Sequence, residues 1–164
     1  MKIEHLSKTG GRKKMQQIEE SILEQAKKEG IKRFVVGGII RAKEKVLLLR
    51  RKAGEFMTGI YEFPSGRVGG KESLVEALRR EVKEETGLKI IRIGEYVNSF
   101  DYESSSGEKT RQFNFVVEVE NEEIKLNPME HDDFAWVELT TLRTYKITES
   151  VQKILRDFWK DSLK

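Results

Sequence analysis

Apolar residues along the chain recur with two different periods, and the changes of period mark out the elements. Residues 12–29 place Met15, Ile18, Ile22 and Ala26 three and four apart among Lys, Gln and Glu, with Gly30 as a stop signal, which predicts an amphipathic helix. We expect that helix to pack on its own domain rather than to serve as a dimer arm or a lid. From Phe34 the period shortens. Phe34–Ile40 and Val46–Leu49 are β-branched and aliphatic runs joined by the turn-like Ala42-Lys43-Glu44-Lys45, the pattern of a hairpin. Residues 73–86 return to helical spacing, and strand-like segments follow at 89–100 and 111–120. The polar Glu103–Glu108 stretch between those strands reads as a loop tip of the kind found at the mouth of a site. A strand at Phe134–Val137 and a closing helix over 147–160, with Val151, Ile154, Leu155 and Phe158 on one face, complete the order. That order predicts an α+β fold with a mixed sheet between helices, arranged as an N-terminal helical extension over 1–30 and one domain over 31–164.

Composition narrows the class. The 164 residues are 37% apolar and 36% charged, and 31 basic against 28 acidic side chains leave a net charge of only +3 of mixed sign. A soluble globular protein follows, and no specific nucleic-acid partner is expected. With no cysteine there is no disulfide framework, thiolate metal site or cysteine nucleophile. No apolar run resembles a signal peptide or a membrane span, so we expect a cytoplasmic location and no membrane partner.

The chemistry is concentrated in the helix over 73–86. On a helical wheel Leu74, Ala77, Leu78, Glu81, Glu84 and Glu85 share one arc of roughly 120°. The first half of that stripe is core-like and the second half is carboxylate. Positions 81, 84 and 85 are spaced so that their side chains converge within roughly 6 Å, where like charges repel. The helix dipole adds to the penalty, since a C-terminal turn favours cations. A hard divalent cation removes both, and Mg²⁺ is usually held by carboxylates together with substrate phosphates. The competing reading is a solvated acidic helix end neutralised by Arg79, Arg80 and Lys83. Ser73 and Glu76 form a capping-box pattern at one end, Gly87 and Leu88 a left-handed stop at the other. Ahead of the helix, Phe63-Pro64-Ser65-Gly66-Arg67-Val68-Gly69-Gly70 is a glycine-rich loop whose backbone can approach a ligand closely.

These residues resemble the Nudix box, G-x5-E-x7-R-E-U-x-E-E-x-G-U with U aliphatic. Gly66, Glu72, Arg80, Glu81, Val82, Glu84, Glu85, Gly87 and Leu88 fill every specified position with the correct gaps. Arg50-Arg51, Glu62-Phe63-Pro64 and Asp132-Asp133-Phe134-Ala135-Trp136-Val137 also look like MutT-type members, extending the likeness over most of residues 33–140. The resemblance implies an α/β/α sandwich and hydrolysis of a nucleoside diphosphate linked to a group X. It implies that Glu81, Glu84 and Glu85, with the Gly66 carbonyl, hold Mg²⁺, for which Mn²⁺ substitutes, and that Glu72 and Arg80 form a structural ion pair. Ser65 departs from the glycine often found before the box glycine.

Members of the family it resembles differ in which residue takes a proton from water; by that analogy Glu81 is the first candidate and Glu130, in Met129-Glu130-His131-Asp132-Asp133, the second, while His131 reads as an exposed loop histidine. Arg50 and Arg67 are candidate phosphate partners because guanidinium binds phosphate bidentately. Phe63 and Tyr61 are candidates to stack on a base, although aromatic residues in such a strand are more often core. Marks that some subfamilies carry outside the box are absent here: no proline stands about 15 residues past Leu88, Tyr102 lies too near to be the tyrosine of dinucleoside polyphosphate hydrolases, and the coenzyme A and NADH signatures are missing. A nucleoside triphosphate, oxidised ones included, is the leading substrate class by elimination. ADP-ribose or nucleotide-sugar hydrolysis, RNA-end hydrolysis and non-catalytic nucleotide sensing are the alternatives, and a homodimer stays open.

Overall fold

The computed structural model describes residues 8–162. In chain order they form α1 (Lys8–Lys28), β1 (Arg33–Ala42), β2 (Lys45–Arg51), β3 (Tyr61–Glu62), β4 (Ser65–Arg67), α2 (Leu74–Thr86), β5 (Ile90–Glu103), β6 (Lys109–Val119), β7 (His131–Val137), a 3-10 turn Leu139–Thr144 and α3 (Glu149–Ser162). The strands run β3-β2-β1-β6-β5, with β4 added to β1 and β7 to β2. β1 is the hub. It is parallel to β6, antiparallel to β4 along Val35–Gly37, and antiparallel to β2 at Arg41 and Ala42.

The mixed sheet lies between helices, as the order of elements predicts. On one side, Met15, Ile22, Leu23 and Ala26 of α1 and Leu74, Ala77, Leu78 and Val82 of α2 pack on Val36, Ile40, Phe113, Phe115 and Val117. On the other, Val151, Ile154, Leu155, Phe158 and Trp159 of α3 pack on Ile39, Val46, Leu48, Phe63 and Val137. A sheet buried on both faces explains why β2 reads Val-Leu-Leu-Leu without alternation. α1 packs on its own domain, as expected.

β6 treats its two faces differently. Phe113, Phe115 and Val117 enter the core under the first two helices, while Thr110, Gln112 and Asn114 are buried on the opposite face. Gln112 Nε2 donates to Asn114 Oδ1 at 2.9 Å directly over Gly37, where an added Cβ would meet that oxygen at 2.4 Å. A side chain at position 37 would have to displace that buried amide pair.

Several element ends differ from expectation. β7 begins at His131, three residues early, and β3 and β4 are unforeseen short strands. Ser65-Gly66-Arg67 has poor strand propensity and becomes a strand only because it pairs with Val35–Gly37.

Candidate active site

The site is built outward from α2, whose ends are fixed locally. Ser73 Oγ accepts from the Glu76 N–H at 3.1 Å while Glu76 Oε2 accepts from the Ser73 N–H at 2.9 Å, so the capping box is complete. At the other end Gly87 takes φ 73°, a left-handed conformation that suits glycine, and its N–H donates to the Lys83 carbonyl at 2.9 Å. The caps fix which residues fall in the last two turns, and hence where Glu81, Glu84 and Glu85 project.

Two of the three glutamates are buried. Glu85 is 4% exposed and accepts the Ser65 N–H at 3.0 Å; Glu81 is 9% exposed. The Glu81 carboxylate occupies the place a side chain at Gly66 would take, since a Cβ there would lie 1.9 Å from Glu81 Cδ. Strand β4 thus presses bare backbone against the acid stripe. Burial raises the Glu85 carboxyl well above the ordinary carboxylate range, with Glu62, Glu130 and Glu81 adding repulsion. Glu81 is raised as well, by burial first and partly offset by Arg80, with Glu84 and Glu130 repelling it. Glu84 is exposed.

Arg80 joins Glu81 and Glu84 to the loop. Its Nε and Nη2 make a two-pronged contact with Glu72 at 2.7 Å each, Nη1 donates to Glu81 at 2.6 Å and to Glu84 at 3.3 Å, and Nη2 donates to the Arg67 carbonyl at 2.9 Å. The expected Glu72–Arg80 pair is present, and Arg80 also neutralises part of the stripe. Glu72 is held down to about 2 by Arg80 first and then by the Gly69 N–H, which donates at 2.8 Å. Arg79 turns away, donating to the Ile90 carbonyl at 2.7 Å.

Opposite α2 stands a second group that the sequence disclosed only in part. Glu85, Glu130 and His131 each place a ligand atom within 4.8 Å of the others. Glu130 is exposed, and its charge bears on both Glu81 and Glu85. His131 is not an exposed loop histidine: it opens β7, is 3% exposed, and its Nε2 lies 3.0 Å from Glu62 Oε1. Glu62 in turn receives Arg51 Nη1 at 3.3 Å. Neither Glu62 nor Arg51 was singled out from the sequence as a site residue. Their pairing depends on β3 joining β2 at Leu49–Arg50, which no local pattern predicts.

The candidate substrate contacts fare unequally. Phe63 cannot stack on a base here, because it is 0% exposed inside the core formed with α3, where its burial contributes about 1.5–3 kcal/mol. Tyr61 is partly buried, edge-on to Tyr145, and donates to Asp133 Oδ2 at 3.1 Å. Arg50 lies beside this group with its Nε donating to Asp132 at 2.7 Å, so its guanidinium is already engaged. Arg67 is exposed beside the box loop.

The site is thus a capped helix carrying buried carboxylates, pressed against a glycine strand on a mixed sheet between helices. The sequence matches the NUDIX domain over residues 31–158, and the chain belongs to the Nudix family, whose members generally use a divalent metal. It is 40% identical over 58 residues to the 8-oxo-dGTP diphosphatase of Buchnera aphidicola subsp. Schizaphis graminum, covering 35% of this chain and 45% of that one. It is 47% identical over 53 residues to the ADP-ribose pyrophosphatase of Methanocaldococcus jannaschii, covering 32% and 31%. The chain thus spans less than half the length of these curated relatives. The MutT protein of Methanosarcina mazei Go1 superposes with a TM-score of 0.70 at 27% identity, covering 80% of this chain and 96% of that one. No helix among the described residues is long and apolar enough to cross a membrane.

Proposed function

We propose that this chain hydrolyses a diphosphate bond in a nucleoside diphosphate derivative, with a nucleoside triphosphate, oxidised ones included, as the leading substrate and nucleoside monophosphate and diphosphate as products. The observation that carries the reading is the pair of buried carboxylates, Glu81 and Glu85, held against Gly66 and Ser65 and both raised first by burial. Buried acids of one sign fit a hard divalent cation, and the oxygen donors here suit Mg²⁺ or Mn²⁺. Glu81, Glu84 and Glu85 with the Gly66 carbonyl would hold it. When bound, such a cation screens the diphosphate oxygens and makes attack by water easier.

The chain's own groups do the rest. Arg80 and Glu72 keep the loop against the helix, so that Gly66 stays aimed at the acid stripe. Glu81 and Glu130 are the two candidates to take the proton from water, and the pH profiles of Glu81→Gln and Glu130→Gln test which of them does so. Arg67, exposed at the loop, is the phosphate partner the geometry favours; Arg50 would first have to leave Asp132. A second reading, ADP-ribose hydrolysis, is favoured by the match to the archaeal ADP-ribose pyrophosphatase. One screen decides between them: product release from nucleoside triphosphates, 8-oxo-dGTP, ADP-ribose, nucleotide sugars and dinucleoside polyphosphates, with Mg²⁺ and with EDTA. Turnover of a triphosphate only with the cation supports the first reading, turnover of ADP-ribose alone supports the second, and full activity in EDTA overturns both.

A further inference from the structure

The first four N–H groups of a helix have no partner within it, and α2 is no exception. Two are met locally, the Ser73 N–H by Glu76 and the Glu76 N–H by Ser73. The remaining two, on Leu74 and Val75, turn to a carboxylate from another element. Glu19 of α1 is 9% exposed; its Oε1 accepts the Val75 N–H at 2.9 Å, and the Leu74 N–H bears on the same group. A negative charge seated at the positive end of the dipole is favourable in itself. Taking a carboxylate out of water is not, which makes this contact an improbable accident of packing.

α1 is itself well fixed. Ile22, Leu23 and Ala26 enter the core beneath α2, and Arg111 bridges Glu29, at the end of α1, to Asp101. Glu19 therefore ties α2 to a rigid element that lies outside the stretch matching the family.

We propose that Glu19 is a positioning residue for the acid stripe: by completing the N-terminal cap of α2 it fixes the rotation of that helix, and with it the direction in which Glu81 and Glu85 face Gly66 and Ser65. The inference rests on the reading that these glutamates bind a cation, and it makes α1 part of the working site rather than a mere appendage.

The test uses the whole chain and two variants in the same helix. Glu19→Ala removes the cap; Ile22→Ala removes core packing from α1 without touching the α2 amides. Mn²⁺ binding is titrated by calorimetry without nucleotide, kcat and KM are measured on the triphosphate turned over best, and melting is recorded for each. Partners bonded directly to metal ligands typically carry about 10–100-fold in affinity; Glu19 acts further out, through the helix, and for Glu19→Ala we expect about fivefold weaker Mn²⁺ binding, with kcat falling and KM little changed. Glu19→Gln, which keeps an acceptor, should recover part of the loss. Ile22→Ala should lower the melting temperature yet bind Mn²⁺ within about twofold of wild type, since its loss is transfer and cavity energy alone. Unchanged Mn²⁺ affinity in Glu19→Ala, or a loss in Ile22→Ala that matches it at equal loss of melting temperature, overturns the proposal. A wild-type chain that binds Mn²⁺ and hydrolyses no nucleotide overturns the hydrolase reading alone, and the titrations then decide this one by themselves. A wild-type chain that binds no Mn²⁺ overturns both.

Discussion

At Gly66 the question is which side of a collision gives way. An alanine there would set its Cβ against the Glu81 carboxylate, the far end of a flexible side chain, so the backbone can stay and the acid must leave. Gly66→Ala is expected to keep the melting temperature within a few degrees, while kcat falls about a hundredfold, the loss typical of misplacing a reacting group by about 1 Å. Melting curves and turnover on one preparation check this; equal losses in both would show that the glycine serves the fold. Proton linkage gives a second expectation. Glu81 and Glu85 are raised by burial, so folding tightens their hold on a proton and adds stability at low pH that is lost as pH climbs from about 4.5. Glu72 works the other way: held down to about 2, it adds stability above the ordinary carboxylate range that is lost as pH falls. Cation-free protein should therefore melt lower at neutral pH than at pH 5 to 6, Glu85→Gln should flatten that decline, and saturating Mg²⁺ should oppose it by binding only the native state. Melting temperatures across that range, with and without Mg²⁺, are the measurement.

At the scale of elements, α2 separates what stabilises from what positions. Ser73→Ala removes a cap worth about 1 kcal/mol and should lower melting by about 2–4 °C in a chain of this size. Glu72→Gln should instead cost activity through a loosened loop, with only a modest drop in Mn²⁺ affinity; a loss of binding as complete as in Glu85→Gln would make Glu72 a direct ligand. The ends of α2 were legible in the sequence because Ser73, Glu76 and Gly87 act on backbone within one turn. The acid stripe was legible for the same reason, as a matter of helical spacing. β3 and β4 were not, because Glu62 and Gly66 become strand residues only through partners far away in the chain. Phe63 and His131 illustrate the same limit: an aromatic beside the box and a histidine among acids look available on paper, and both are buried by the pairing of β2 with β3 and β7. Glu19 is not legible in the sequence, because nothing in an amphipathic helix says which of its glutamates will meet another helix end.

At the scale of the whole molecule, β1 holds strands drawn from both halves of the chain: Val36 pairs with Gly66 on one side and with Phe113 on the other. Joining such distant segments is slow, because loop-closure entropy is lost before the contacts form. The seat for the carboxylates exists only once β4 has docked on β1, since Ser65 and Gly66 are what Glu85 and Glu81 rest against. A cation bound there stabilises the finished structure and has little to hold at the top of the folding barrier. Stopped-flow fluorescence from Trp136 and Trp159 should therefore show unfolding slowed by Mg²⁺ and refolding unchanged, and acceleration of refolding would mean that β4 docks before the barrier. The hub position of β1 would thus make a bound cation a brake on opening rather than a guide to folding, and chain emptied of metal would be lost mainly through the rate at which it opens.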